Sequence, residues 1–167
     1  MLCLNLWALK RINEHWGSYS DAVKAMGGGE AVECVGELLI MLHVLLHGGA
    51  IYTAEMGSAN PEPPDMAELA KLAPGFLHKL RGTVLNALRL GMDTSIKLCS
   101  ENSSGRKAEE PEWLLWYGLR VGLSYREAHA LPLGELLELI SIEQVKKEGA
   151  KIALSEEDEF FALLKLR

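Results

Sequence analysis

His43 and His47 are the first residues in this 167-residue chain whose types and spacing could do chemistry. An interval of four on a helix puts both imidazoles on one face, the arrangement that chelates a metal. The residue after His43 is Val44 rather than glutamate, so the HExxH pattern of zinc proteases is missing. No further Cys, His or Asp cluster supplies an evident third ligand. Two histidines near a helix end have a simpler account, because the carboxyl-terminal dipole favours them there. The expectation is therefore no metal and no cofactor, with a metalloenzyme using His43 and His47 as the weaker alternative.

The triplet Gly27-Gly28-Gly29 raises the question of a phosphate loop. No strand pattern precedes it, no Gly-Lys-Ser/Thr follows, and Glu30 puts a negative charge where a phosphate would sit. These glycines read as a hinge or helix stop. No Ser/His/Asp or Cys/His order is recognisable, and the carboxylate runs Glu109-Glu110 and Glu156-Glu157-Asp158 read as solvated helix starts. Nothing in the sequence asks for catalysis, and no enzyme is expected.

Composition sets the setting for these residues. Apolar residues make up 49% and charged residues 24% of the chain, average globular usage that argues against disorder. The net charge of −6 disfavours general attraction to nucleic acid or to an anionic membrane. Cys3, Cys34 and Cys99 are odd in number and scattered, which fits a reducing compartment. The opening residues are charged too soon for a signal peptide, and the longest apolar run, Leu38 to Leu46, is about half of what a bilayer needs. A cytoplasmic location is expected, with no membrane and no nucleic acid as partner.

The elements that must carry these residues are all helical. Leu2, Leu6, Leu9, Ile12 and Trp16 recur at helical spacing and predict an amphipathic helix from Leu2 to Trp16, with Leu4 and Trp7 beside the stripe. Gly17 stops it, and Ser18 or Ser20 caps a second helix through Met26. Glu30 to His47 is so apolar that it predicts a central helix contacted on several sides, ended by Gly48-Gly49. A short helix over Ala50 to Met56, a loop through GSANPEPP, and a helix MAELAKLA capped by Asp65 follow. The next helix has Pro74 in its first turn, an apolar face of Phe76, Leu77, Leu80, Val84, Leu85, Leu88 and Leu90, and Gly91 as its stop.

This divides the chain into a helical body of four to six helices over 1–92, a linker over 93–111 rich in Ser, Asn, Gly, Lys and Glu, and a small helical module over 112–167. The module opens with an aromatic helix, Trp113 to Val121, stopped by Gly122. Ser124 and Glu127 form a capping box for a helix to Leu131, and Pro132 ends or bends it. Gly134 to Ile142 makes a third helix, and Ser155 to Asp158 caps a terminal one. Helices this short cannot bury much area alone, so they must dock on the body or on a partner. For a partner surface the choice is Trp113, Trp116 and Tyr117, because aromatics dominate interface energetics, together with Leu136 and Leu137.

The turn Gly122-Leu123-Ser124-Tyr125-Arg126-Glu127 resembles the first helix of sigma-factor-like helix-turn-helix domains, so a DNA-binding regulator is the alternative reading. Its next helix offers Glu135, Glu138 and Glu143, which phosphates would repel.

The segments LWALKRINEHWGSYSDAVKAM, EAVECVGELLIMLHVLLHGG and DMAELAKL are similar to the opening helix, Gly-Ser step, apolar helix and later helix of the tail assembly chaperones of long-tailed bacteriophages and prophages. Trp113, Gly122-Leu123-Ser124, Glu127, Pro132 and Glu135-Leu136-Leu137 resemble the small second domain of the same systems. The resemblance implies a non-enzymatic chaperone in the host cytoplasm, absent from the mature virion. Its partners would be the tape-measure protein, coated by the first domain, and the tail-tube protein, recruited by the second. Whether the chain forms a homo-oligomer is left open.

Overall fold

The order of caps along the chain sets where each helix begins. A computed structural model describes residues 1–28, 35–57, 71, 76–94 and 110–148. Seven helices and no strand occur among the described residues: α1 (Leu6–Trp16), α2 (Tyr19–Gly27), α3 (Val35–Glu55), α4 (Leu77–Gly91), α5 (Pro111–Arg120), α6 (Tyr125–Ala130) and α7 (Leu133–Glu148). The protein is mostly helical, as its periodicity predicts. The MAELAKLA helix, most of the linker, the glycine-to-cysteine stretch 29–34 and the terminal helix lie outside the described residues.

Gly17 ends α1 at φ +82°, a conformation that costs glycine nothing. The Ser18 side chain accepts from the Asp21 amide and starts α2. Gly122, at φ +99°, reverses the chain after α5. The Ser124/Glu127 capping box then opens α6, the serine oxygen accepting from the Glu127 amide while the Glu127 carboxylate accepts from the Ser124 amide at 2.7 Å. The Ser124 hydroxyl first, and then the Ser124 amide, both acting on the Glu127 carboxylate, hold that carboxyl below its usual range.

Two helix boundaries differ from those the sequence predicts because of one contact. Residues 1–5 are not the start of a helix but an extended segment; Asn5 caps α1 by accepting from the Ala8 amide at 2.9 Å. The segment lies across α3, where the Cys3 amide donates to the Leu45 carbonyl at 3.0 Å and the Asn5 side-chain amide donates to the Gly48 carbonyl at 3.0 Å. Gly48-Gly49 therefore does not stop α3, which continues to Glu55 and absorbs the short helix expected after it. The glycines are where another backbone comes close: a Cβ on Gly48 would lie 2.5 Å from the Cys3 carbonyl oxygen, and one on Gly49 would overlap the Met1 carbonyl. Pro132 pairs with Asn5 in an isolated antiparallel bridge, and the Leu133 amide, free at the start of α7, donates to the Leu4 carbonyl at 2.7 Å. α7 runs on to Glu148, taking in the charged run.

One hydrophobic cluster results. It joins Leu6, Leu9 and Ile12 of α1 to Leu38, Met41 and Leu45 of α3, to Leu80, Val84 and Leu88 of α4, and to Leu114, Leu133 and Leu136 of the last helices. Each fully buried leucine here is worth about 2 kcal/mol of apolar transfer. α5, α6 and α7 dock on the body, since α5 and α6 contact α1, α6 also contacts α3, and α7 contacts α4. By length and composition the 21-residue α3 would also suit a bilayer, with a mean hydropathy of 1.5; here it packs against α1, α2, α4 and α6. Polar ties fix the periphery: the Tyr19 hydroxyl donates to the Leu88 carbonyl at 2.8 Å, Arg81 donates to the Met26 carbonyl at 2.7 Å, and Trp16 donates to Glu37 at 2.7 Å. Burial, with the Glu135 charge adding to it, pushes the Cys3 thiol up to about 11, so it acts as a small apolar residue.

Replacing Asn5 by Ala removes three hydrogen bonds and is expected to lower unfolding stability in urea by about 3 kcal/mol. Gly48→Ala, which forces two backbones apart, is expected to cost about 2 kcal/mol. Gly82→Ala on α4, whose new Cβ meets nothing within 4 Å, is expected to stabilise by up to about 1 kcal/mol. Equal effects of Gly48→Ala and Gly82→Ala would contradict this account.

Candidate functional site

The histidine pair sits on the side of α3 that faces α1. The His43 and His47 rings are 6.1 Å apart, and His47 stacks on Trp7 of α1 at 4.6 Å with the planes 21° apart. The Arg11 guanidinium covers the same indole, 5.5 Å from the ring centre. Burial first, then the neighbouring His43 and Arg11, holds His47 below the usual imidazole range, so it is neutral in the stack. Among the described residues no group of three or more His, Cys, Asp or Glu side chains could hold a metal ion.

Beyond this stack α1, α3 and α6 diverge and leave an open groove of about 490 Å³. α1 contributes Trp7, Lys10, Arg11 and Glu14; α6 contributes Tyr125, Arg126 and His129; Ile51, Ala54 and Glu55 of α3 form the floor. Three permanent cations thus meet two carboxylates, in a chain whose overall balance is the reverse. Arg11 pairs with Glu14 at 2.7 Å and Arg126 lies 3.6 Å from Glu55, both pairs well exposed and worth little to stability. The Tyr125 ring is 61% exposed and rests 4.2 Å from His129.

Glu55 is also part of a second hollow, of about 340 Å³, on the other side of α6. Its surface is mostly apolar: Tyr52 of α3 and Met56 just after it, Leu123 and Leu131 at the two ends of α6, and Leu139 of α7, with Glu55 and Glu127 at its edge. Met56 is 64% exposed. The two hollows therefore adjoin at Glu55, one end cationic and aromatic, the other apolar.

The residues chosen from sequence are distributed differently. Trp113, Trp116 and Tyr117 form a cluster on α5, Trp116 standing edge-on to Tyr117 at 4.8 Å and to Trp113 at 5.7 Å. Tyr117 and Leu136 are buried, Trp113 and Leu137 are half-buried against the core, and Trp116 is 46% exposed. Gly118 makes room for this, since a Cβ there would come within 3.1 Å of Ala128 and 3.2 Å of Leu136. Trp116 shares its face with Leu119, 45% exposed, and Arg120 lies 5.2 Å over the Trp116 ring. Of the carboxylates weighed against DNA binding, Glu135 is exposed, whereas Glu143 is buried and lies 2.5 Å from the Lys147 ammonium.

Sequence reasoning passed over Trp7, Arg11, Tyr125, Arg126, Met56 and Leu139. A local signal was present for some of them: Trp7 and Arg11, and Tyr125 and His129, are pairs at four-residue spacing on one helix face. Nothing local shows that these two faces oppose each other. No family model, no curated protein and no solved structure matches the chain.

Because His47 is held neutral, its protonation works against folding. Its contribution is constant above the unfolded value near 6.5, and stability declines as pH falls from there through the lowered folded value. His47→Phe, which retains a ring against Trp7, is expected to flatten this part of the profile. Urea midpoints between pH 7.5 and 5 check it; an unchanged slope in the variant would exclude His47 as the group responsible.

Proposed function

We propose that this chain is a tail assembly chaperone of a long-tailed bacteriophage or prophage, binding the tape-measure protein and recruiting tail-tube subunits in the host cytoplasm. The observation that carries the reading is the ordered run over α5 to α7: an aromatic helix, a Gly-Leu-Ser turn, a glutamate closing the capping box, a proline, and an acidic-Leu-Leu helix start. Members of that family often open with a short extended segment before the first helix, and Met1–Asn5 has that form here.

The surface chemistry is in keeping with binding helical partners. Trp116 and Leu119 stand one turn apart on the exposed face of α5, backed by buried Tyr117 and Gly118. A rigid aromatic with a neighbouring leucine is the kind of anchor that receives an amphipathic helix. In the proposed division of work, residues 1–92 coat the tape-measure protein and residues 112–167 recruit the tube protein. The whole acts without catalysis and leaves before the virion is complete.

The alternative, a DNA-binding regulator, uses the turn into α6 and the helix after it. In α7 Leu133, Leu136 and Ile140 are taken up by the core, and Glu135 in the first turn is exposed, where it would repel phosphate.

Co-expression with the tape-measure and tube proteins encoded in the same gene neighbourhood, followed by pull-down, tests the proposal. Capture of either is expected, and Trp116→Ala should weaken capture of the tube protein about tenfold while leaving the thermal midpoint unchanged. Failure to capture both proteins, together with a mobility shift of duplex DNA at low salt, would replace this reading with the regulator.

A further inference from the structure

In the hollow bordered by α3, α6 and α7 the walls are mostly apolar and the charges all have one sign. Tyr52 and Met56 stand at the end of α3, Leu123 and Leu131 at the two ends of α6, and Leu139 on α7. Glu55 and Glu127 are at the edge, and no cation lines the hollow among the described residues. Its volume of about 340 Å³ lies at the lower end of the range that small molecules fill, about 300 to 1,000 Å³. Met56 is 64% and Leu139 36% exposed, so apolar surface remains for a ligand to cover.

The two carboxylates differ in what already answers them. Glu127 accepts from the Ser124 amide at 2.7 Å, and a neutral donor leaves its charge uncancelled. Hydrogen bonding to Ser124 also holds that carboxyl below its usual range, so it is ionised at neutral pH. Glu55 has the Arg126 guanidinium at 3.6 Å, but the Arg126 side chain is 85% exposed, and a pair so open to water is weak. An anionic ligand is repelled at such an edge. A neutral one covers the walls and leaves the carboxylates unused. A cation lays its apolar body on the walls and keeps its charged head at the wet edge, as the stem and ammonium of a surface lysine do.

We propose that this hollow binds a small lipophilic cation, an aryl- or alkylammonium whose apolar body lies between Met56 and Leu139 and whose charged head sits at Glu127 and Glu55. Binding is reversible and weak, because the hollow is small and its edge is open to water. The site is separate from the face carrying Trp116, which belongs to α5 and does not line the hollow. It therefore stands or falls independently of the chaperone role.

Titrating the purified full-length protein with phenylpropylammonium at neutral pH, while following the methionine methyl resonances, tests this. Met56→Leu identifies the resonance of Met56. That resonance should shift saturably, with a dissociation constant on the order of 1 mM. Phenylpropionate, of the same shape and opposite charge, should bind at least about tenfold more weakly, and phenylpropanol should fall between the two. Glu127→Gln removes the charge and keeps the capping box, since glutamine serves equally at that position; it should weaken the ammonium about threefold, and Glu55→Gln should act in the same direction. Leu139→Ala should weaken it about fivefold, whereas Trp116→Ala should leave it unchanged. Equal thermal midpoints of Glu127→Gln and the starting protein separate loss of binding from loss of fold. No saturable shift at Met56, equal binding of phenylpropionate or phenylpropanol, or an affinity that both glutamine variants leave unchanged would each overturn the proposal.

Discussion

The Asn5 side chain is fully buried, so its amide has to find its partners within the protein. Its oxygen accepts from the first turn of α1, and its nitrogen donates to Gly48 in α3 and, at the longer distance of 3.4 Å, to Ala130 at the end of α6. One side chain thereby joins the amino-terminal segment, the central helix and the last third of the chain. The bridge to Pro132 and the Leu133–Leu4 hydrogen bond act on the same line. These contacts need backbones at close approach, which is why glycine stands at 48, 49, 91 and 134: a Cβ at Gly91 would meet Leu4 at 2.6 Å, and one at Gly134 would meet the Asp93 carbonyl at 2.7 Å.

The path of α3 past those glycines has a functional consequence. Had the helix ended at Gly48, there would be no Ile51, Tyr52, Glu55 or Met56 beneath α6, and neither hollow would have a floor. Its extension carries the Trp7–His47 stack at one level and the groove two turns further on. α1 supplies a cationic wall because Trp7, Lys10, Arg11 and Glu14 lie on the side turned away from the stripe of Leu6, Leu9 and Ile12. A single amphipathic helix thus builds core with one face and site with the other.

The aromatic cluster of α5 shows how one short helix divides its residues between stability and surface. Leu114, Tyr117 and Gly118 face α6 and α7 and are buried, while Trp116 and Leu119 look outward. Residue type could not separate them, since Trp113, Trp116 and Tyr117 are equally suited to a core or to an interface. Leu136 and Leu137 divide in the same way, adjacent in sequence but unequal in burial.

Helices, caps and stops were legible in the residues themselves: the stripe of α1, Gly17 as its stop, Ser18 as a cap, and the Ser124/Glu127 box are interactions within four residues, and local propensity settles them. The apolar excess of α3 likewise marked it as central. Tertiary contact alone decided whether Leu2–Asn5 would continue a helix or lie extended, and whether Gly48-Gly49 would end a helix or receive another backbone. The groove was hidden for the same reason, because its walls come from residues 7–14, 51–55 and 125–129. Asn5 and Ala130 are 125 positions apart, and no periodicity in a window of one or two helical turns carries information across that distance.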